Sequence, residues 1–178
     1  MNIFLFGYRA AGKTSVGRQI AQETRMIFID TDVETQLRYF DGATITEVFK
    51  NHGEQSWREA EVAVTKDACH RDDQVIALGG GTLMQPGARK AIENVTGARR
   101  IYLACNAQEL YRRIQLDPDS SHSRPNLTGL GGGLKEIEAV LADRDPVFRQ
   151  AADIVVDVSD LTVDEVVRYL VTKVLSKR

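Results

Sequence analysis

Cysteine, proline and tryptophan are scarce in this chain. The 178 residues hold two cysteines, four prolines and one tryptophan. The cysteines, Cys69 and Cys105, form no close pair, so nothing in their spacing calls for a disulfide framework. They read as small core residues in a reducing compartment. No apolar run approaches the roughly 20 residues that a membrane-spanning helix needs, so no membrane role is expected. Basic clusters are also missing, apart from the pairs Arg99-Arg100 and Arg112-Arg113. With a formal charge of −2, a general nucleic-acid binder is not expected. No basic segment precedes the first apolar run, which argues against a secretory signal. A cytoplasmic protein is the expectation. The charge pattern marks no protein partner, and a monomer is expected. His52, His70 and His122 read as surface residues, not ligands.

What is present fits one domain over residues 1–178. Hydrophobic residues make up 43% and charged residues 27%, enough apolar material for a sizeable core. Short apolar runs alternate with longer amphipathic stretches. "NIFLFG" (2–7), "MIFID" (26–30), "QVIALGGG" (74–81), "ARRIYLAC" (98–105) and "IVVDVS" (154–159) read as strands. Residues 12–24, 107–116 and 162–175 read as helices, and 44–71 as two helices broken near Gly53. Short buried strands separated by helices predict an α/β fold, a parallel sheet with helices on both faces. One polar, Gly/Pro-rich stretch, 116–133, breaks the pattern and reads as a lid or a disordered segment.

"GYRAAGKT" (7–14) follows the first strand and opens the first helix. It matches G-x-x-x-x-G-K-[ST], the P-loop. Backbone amides of Ala10, Ala11, Gly12, Lys13, Thr14 and Ser15 are the candidate phosphate cradle, at a helix N-terminus. Lys13 supplies a point charge for the β- and γ-phosphates, and Thr14 a hydroxyl for Mg²⁺. A chance match is expected in about 1 in 200 chains of this size. The strand-to-helix context lowers those odds, so nucleotide binding is the reading.

The acceptor must be read from other polar clusters at the same sheet edge. "IFIDTDVE" (27–34) ends a strand with Asp30 and Asp32. Side chains two apart in an extended chain point the same way, so both carboxylates are expected to face the crevice. Capping of the next helix by Thr31 or Asp32 would account for one of them. "GEQSWREAE" (53–61) puts Arg58 and Glu61 on one helix face. Glu61 either orients Arg58 toward an anion or forms a surface ion pair of small consequence with it; taken alone, the pair favours the second. Gly79, Gly80 and Gly81 allow close backbone approach to a ligand. Arg144 lies near the end of a helix that Pro146 disturbs.

Taken in order, "GYRAAGKT", "FIDTD", "GEQSWREAE", "LGGG", "LYRRI", "RPNL" and "DRDPVFRQAAD" resemble the shikimate kinase family. The resemblance runs from Asn2 to about Leu170. It implies a P-loop NTPase three-layer fold with a five-stranded parallel sheet in order 2-3-1-4-5. A substrate-binding helical region at about 31–61 and a mobile lid at about 116–133 come with it. It also implies ATP-dependent phosphorylation of the shikimate 3-hydroxyl with Mg²⁺, in aromatic amino acid biosynthesis. Carried over residue by residue, Asp32 holds the shikimate hydroxyls and takes the proton. Arg58 and Arg144, with the Gly80 backbone, grip the substrate. Phe49 and Trp57 form an apolar wall, or are plain core aromatics. Thr14 ligates Mg²⁺ directly and Asp30 acts on it through water. Arg124 is the lid arginine that reaches the phosphates, and Arg113 stacks on adenine.

The sequence departs from the family at three places. Position 10 is Ala where many members have a second P-loop glycine, which would be strained if φ there is positive. The lid is unusually glycine-rich. Residues 157–165 hold no Arg or Pro that matches an adenine-contacting turn. Two other functions fit the P-loop: a kinase for another polyol acid, such as gluconate or quinate, and a non-catalytic nucleotide-binding module. The second would be expected to lack one of Lys13, Asp32, Arg58 or Arg124, and all four are present.

Overall fold

The computed structural model describes residues 1–117 and 133–172. Five parallel strands form one sheet in the order β2-β3-β1-β4-β5, as expected. They are β1 (Ile3–Phe6), β2 (Ile27–Asp30), β3 (Gln74–Ala77), β4 (Arg99–Ala104) and β5 (Ile154–Asp157). β1 and β3 are buried throughout, because parallel strands inside a sheet are covered on both faces. The edge strands β2 and β5 are only four residues long and partly exposed, which limits pairing with other chains.

The described helices are α1 (Lys13–Thr24), α2 (Thr31–Tyr39), α3 (Ile45–Cys69), α4 (Pro86–Glu93), α5 (Ala107–Leu116), α6 (Leu134–Ala151) and α7 (Val163–Leu170). Successive strand residues point to opposite faces. Ile3 and Leu5 therefore meet Val16 and Ile20 of α1, Leu110 of α5 and Val167 of α7 on one side. Phe4 and Phe6 meet Ala68 of α3, Ile92 of α4 and Phe148 of α6 on the other. Among the described residues, no helix is long and apolar enough to cross a membrane.

Several local expectations need correction. β3 stops at Ala77, so the three glycines form the loop after it. A short 3-10 turn (Thr82–Met84) and α4 follow, neither of which was expected. Pro86 at the start of α4 is the signal that marks it. Pro146 does not end its helix: α6 runs on to Ala151, so Arg144 lies well inside it. The break at Gly53 is present, with φ 81 and ψ 156 inside α3. The expected lid lies almost wholly outside the described residues.

Because all strands run parallel, the P-loop after β1, Asp30 at the end of β2 and the glycines after β3 meet at one sheet edge.

Candidate active site

Asp30 is the N-cap of α2. Its Oδ1 accepts from the amides of Asp32 and Val33, and its Oδ2 accepts from Thr14 Oγ1 at 2.8 Å. The expected cap at Thr31 or Asp32 is therefore wrong, and so is the pleat argument. The chain turns helical at Thr31, and Asp32 reaches the crevice from the first turn of α2. Thr31 does other work. Its buried Oγ1 donates to Ala77 O and accepts from the Gly79 amide at 2.9 Å, which ties α2 to the glycine loop. Sequence reading offered Thr31 only as a cap and missed this bridge, because its partners are 46 and 48 residues away.

A cleft of about 1000 Å³ opens at the start of α1. Ala10, Ala11, Gly12, Lys13, Thr14 and Ser15 line it, together with Asp30 and Asp32. Lys13 Nζ donates to the carbonyls of Gly7 and Tyr8 at 3.0 and 2.9 Å, which fixes it under the loop. Ala10 has φ 62, the left-handed region, so the strain expected of an alanine there is present. The far wall is Val158 to Val163 with Arg112 and Arg113. Sequence reading found no match in 157–165, yet that segment lines the cleft. The Thr162/Glu165 capping box that starts α7 was the available signal. Arg113 is tied down here: it donates to Glu109 Oε1 and Val158 O, both at 2.7 Å. Two arginines hold the Glu109 carboxyl down to about 2.

A second recess lies beside the cleft, lined by Tyr8, Arg9, Asp32, Phe49, Trp57, Arg58, Glu61, Gly80, Gly81 and Arg144. Arg58 and Glu61 are not a surface pair. Their side chains are 13% and 1% exposed, with Nη1 to Oε2 at 3.0 Å. Glu54 takes the rest of the fork, from Nε and Nη2 at 3.0 and 2.8 Å. Glu61 Oε1 accepts from Thr82 Oγ1 at 2.7 Å. Burial, then the nearby Asp32 carboxylate, push the Glu61 carboxyl up, and Arg58 pulls against them. Arg144 Nη1 donates to Gly80 O at 2.7 Å. Burial and the Arg58 guanidinium push Arg144 down. Two buried guanidinium groups that repel each other favour an anion between them.

The glycines of the loop leave room for these side chains. A Cβ at Gly79 would collide with both the Asp32 and the Glu61 carboxylates, and one at Gly81 would lie 2.8 Å from Arg58 Nη1. Trp57 is 1% exposed and stacks on Phe40. Phe49 lies under the Arg58 guanidinium, 5.8 Å from Cζ to the ring centre. Among the described residues that line the two pockets, Asp32 is the one they share.

Comparison with known proteins identifies the family. The family model described as shikimate kinase matches residues 9–175. The chain belongs to the shikimate kinase family. It is 36% identical over 159 residues to a protein named shikimate kinase from Pseudomonas fluorescens (strain Pf0-1), covering 89% of this chain and 87% of that one. It is also 36% identical to a shikimate kinase from Mycobacterium avium (strain 104), covering 95% and 90%. A solved structure of shikimate kinase from Acinetobacter baumannii in complex with shikimate superposes with a TM-score of 0.88. Identity there is 27%, over 99% of this chain and 94% of that one. Of the residues assigned from the family motifs, Arg124 lies outside the described residues. The rest stand around the two pockets.

Proposed function

We propose that this chain transfers the γ-phosphoryl group of ATP to the 3-hydroxyl of shikimate, giving shikimate 3-phosphate and ADP. The observation that carries this reading is Asp32. It is 8% exposed and stands where the nucleotide cleft meets the recess of the two arginines. A base at that junction reaches an acceptor hydroxyl and faces the phosphate donor. Arg58 and Arg144 hold the acceptor carboxylate, which aims the hydroxyl. As the new O–P bond forms and the bond to the ADP oxygen breaks, the hydroxyl proton passes to a carboxylate oxygen of Asp32. Lys13 and the P-loop amides offset charge on the phosphates.

The donor set suits Mg²⁺ carried in with the nucleotide, which needs only one or two protein oxygens. Thr14 Oγ1 donates its hydrogen bond to Asp30 Oδ2, which leaves its lone pairs for the metal. Asp30, already accepting three hydrogen bonds, would act from behind Thr14 or through water. When bound, Mg²⁺ would neutralise charge between the β- and γ-phosphates. A monomeric, cytoplasmic enzyme is part of the same proposal.

A coupled ADP-release assay with shikimate, quinate and gluconate, with and without Mg²⁺, tests it. Turnover is expected with shikimate and Mg²⁺. Equal or faster turnover on gluconate or quinate would overturn the substrate assignment.

A further inference from the structure

The P-loop divides its attention. Ala10 to Ser15 line the nucleotide cleft, whereas Tyr8 and Arg9 line the acceptor recess. The left-handed residue Ala10 falls at the point of division.

Arg9 is the unusual member. Its residue is only 7% exposed, and its buried Nε has no hydrogen-bond partner among the described residues. An unpaired buried donor is costly, and more so on a charged group. The arginines beside it are engaged: Arg58 by Glu54 and Glu61, Arg144 by Gly80 O. The Arg9 guanidinium stands 6.0 Å from the Tyr8 ring centre. The buried Tyr8 hydroxyl also lacks a hydrogen-bond partner among the described residues. Burial pushes the Tyr8 hydroxyl up, while the Arg9 charge and a side-chain contact from Arg9 pull it down; that contact falls outside hydrogen-bond geometry. The backbone of Arg9 also lies against the glycine loop, its amide 3.7 Å from where a Cβ on Gly80 would stand. A buried, unsatisfied donor on the wall of an anion-binding recess marks a place for a ligand oxygen.

We propose that Arg9 is a third guanidinium of the acceptor site, its Nε–H donating to an oxygen of the bound hydroxy acid. This rests on the acceptor reading above and adds a specificity-determining residue to it. A P-loop position thereby senses the acceptor, and the donor side of the same loop holds the phosphates.

Two substitutions separate the Nε donor from the charge and from packing. Arg9→Met keeps the length of the stem and removes every donor. Arg9→Gln restores an N–H close to the Nε position without the charge. Acceptor binding is read from the fluorescence of Trp57, the single tryptophan, which lines the same recess. Steady-state kinetics and thermal melts accompany it.

Arg9→Met is expected to raise the shikimate Kd and KM about tenfold, with the ATP KM within about twofold. Arg9→Gln is expected to recover most of that loss. An unchanged shikimate KM in Arg9→Met overturns the proposal, as does an equal loss for ATP and shikimate. A Gln variant no better than Met overturns the Nε assignment. Wild-type protein inactive on shikimate sinks the acceptor reading and this one with it. An active wild type with an unaffected Arg9→Met sinks this one alone.

Discussion

Thr14 Oγ1 donates to Asp30 Oδ2 at 2.8 Å, which joins the first turn of α1 to the N-cap of α2. One carboxylate thus serves two purposes. Its Oδ1 satisfies two of the orphan amides of α2, and its Oδ2 orients the P-loop hydroxyl. The entry of the acceptor-side helix is thereby set by a group on the nucleotide side.

Those two purposes come apart by mutation. Asn caps a helix about as well as Asp but carries no charge. Asp30→Asn is expected to keep its melting temperature within a few degrees, yet to need at least several-fold more Mg²⁺ for half-maximal rate. Asp30→Ala loses the cap as well and is expected to fall by about 1 kcal/mol in stability. A Mg²⁺ titration beside thermal melts reads both. An unchanged Mg²⁺ requirement in Asp30→Asn would reduce Asp30 to a cap.

Ala10 carries backbone strain at φ 62. A non-glycine residue there costs about 1–2 kcal/mol, part of which glycine gives back as extra freedom of the unfolded chain. Ala10→Gly is expected to stabilise the protein by up to about 1 kcal/mol, or about 2–4 °C in melting temperature. A lower melting temperature would mean that the Ala10 methyl group makes packing contacts worth more than the strain.

The sequence made the sheet legible because strand period and helix period differ, and because each strand is a short apolar run. The P-loop was legible for a similar reason, since its geometry is written in consecutive residues. Contacts across the sheet edge were not. Neither Thr31 bridging to Gly79 nor Glu61 reaching Thr82 leaves a local pattern. Spacing alone put Arg58 and Glu61 on one helix face, but burial made that pair internal, and burial is a tertiary property. Asp32 was expected to face the crevice for the wrong reason, because the strand-to-helix switch at Thr31 replaces a pleat with a helical turn.

Arg58 is expected to act in two ways at once. Arg58→Ala removes a guanidinium from the recess and strands the Glu61 charge, 1% exposed, without its ion-pair partner. Breaking such a pair costs about 3–5 kcal/mol, so stability and shikimate affinity should both drop. The double variant Arg58→Met/Glu61→Gln removes the stranded charge and leaves Thr82 an acceptor. It is expected to regain most of the stability and none of the shikimate affinity, with the ATP KM little changed. Recovery of shikimate binding in the double variant would refute the arginine clamp.

Asp32→Asn tests the base most directly. The substitution keeps the size of a side chain that is 8% exposed and sits against Gly79, so the fold should survive. Asn still orients a hydroxyl but cannot take its proton. Loss of a positioned base costs about 10²–10⁴ in rate, and kcat is expected to fall by that much. The ATP Kd should stay within a few-fold, because Lys13 and the P-loop amides are untouched. Asp32 also borders Glu61, and removing its charge relieves the repulsion that helps push the Glu61 carboxyl up. Stability near neutral pH is therefore expected to hold or rise while turnover collapses. Near-normal kcat in Asp32→Asn would remove Asp32 as the base.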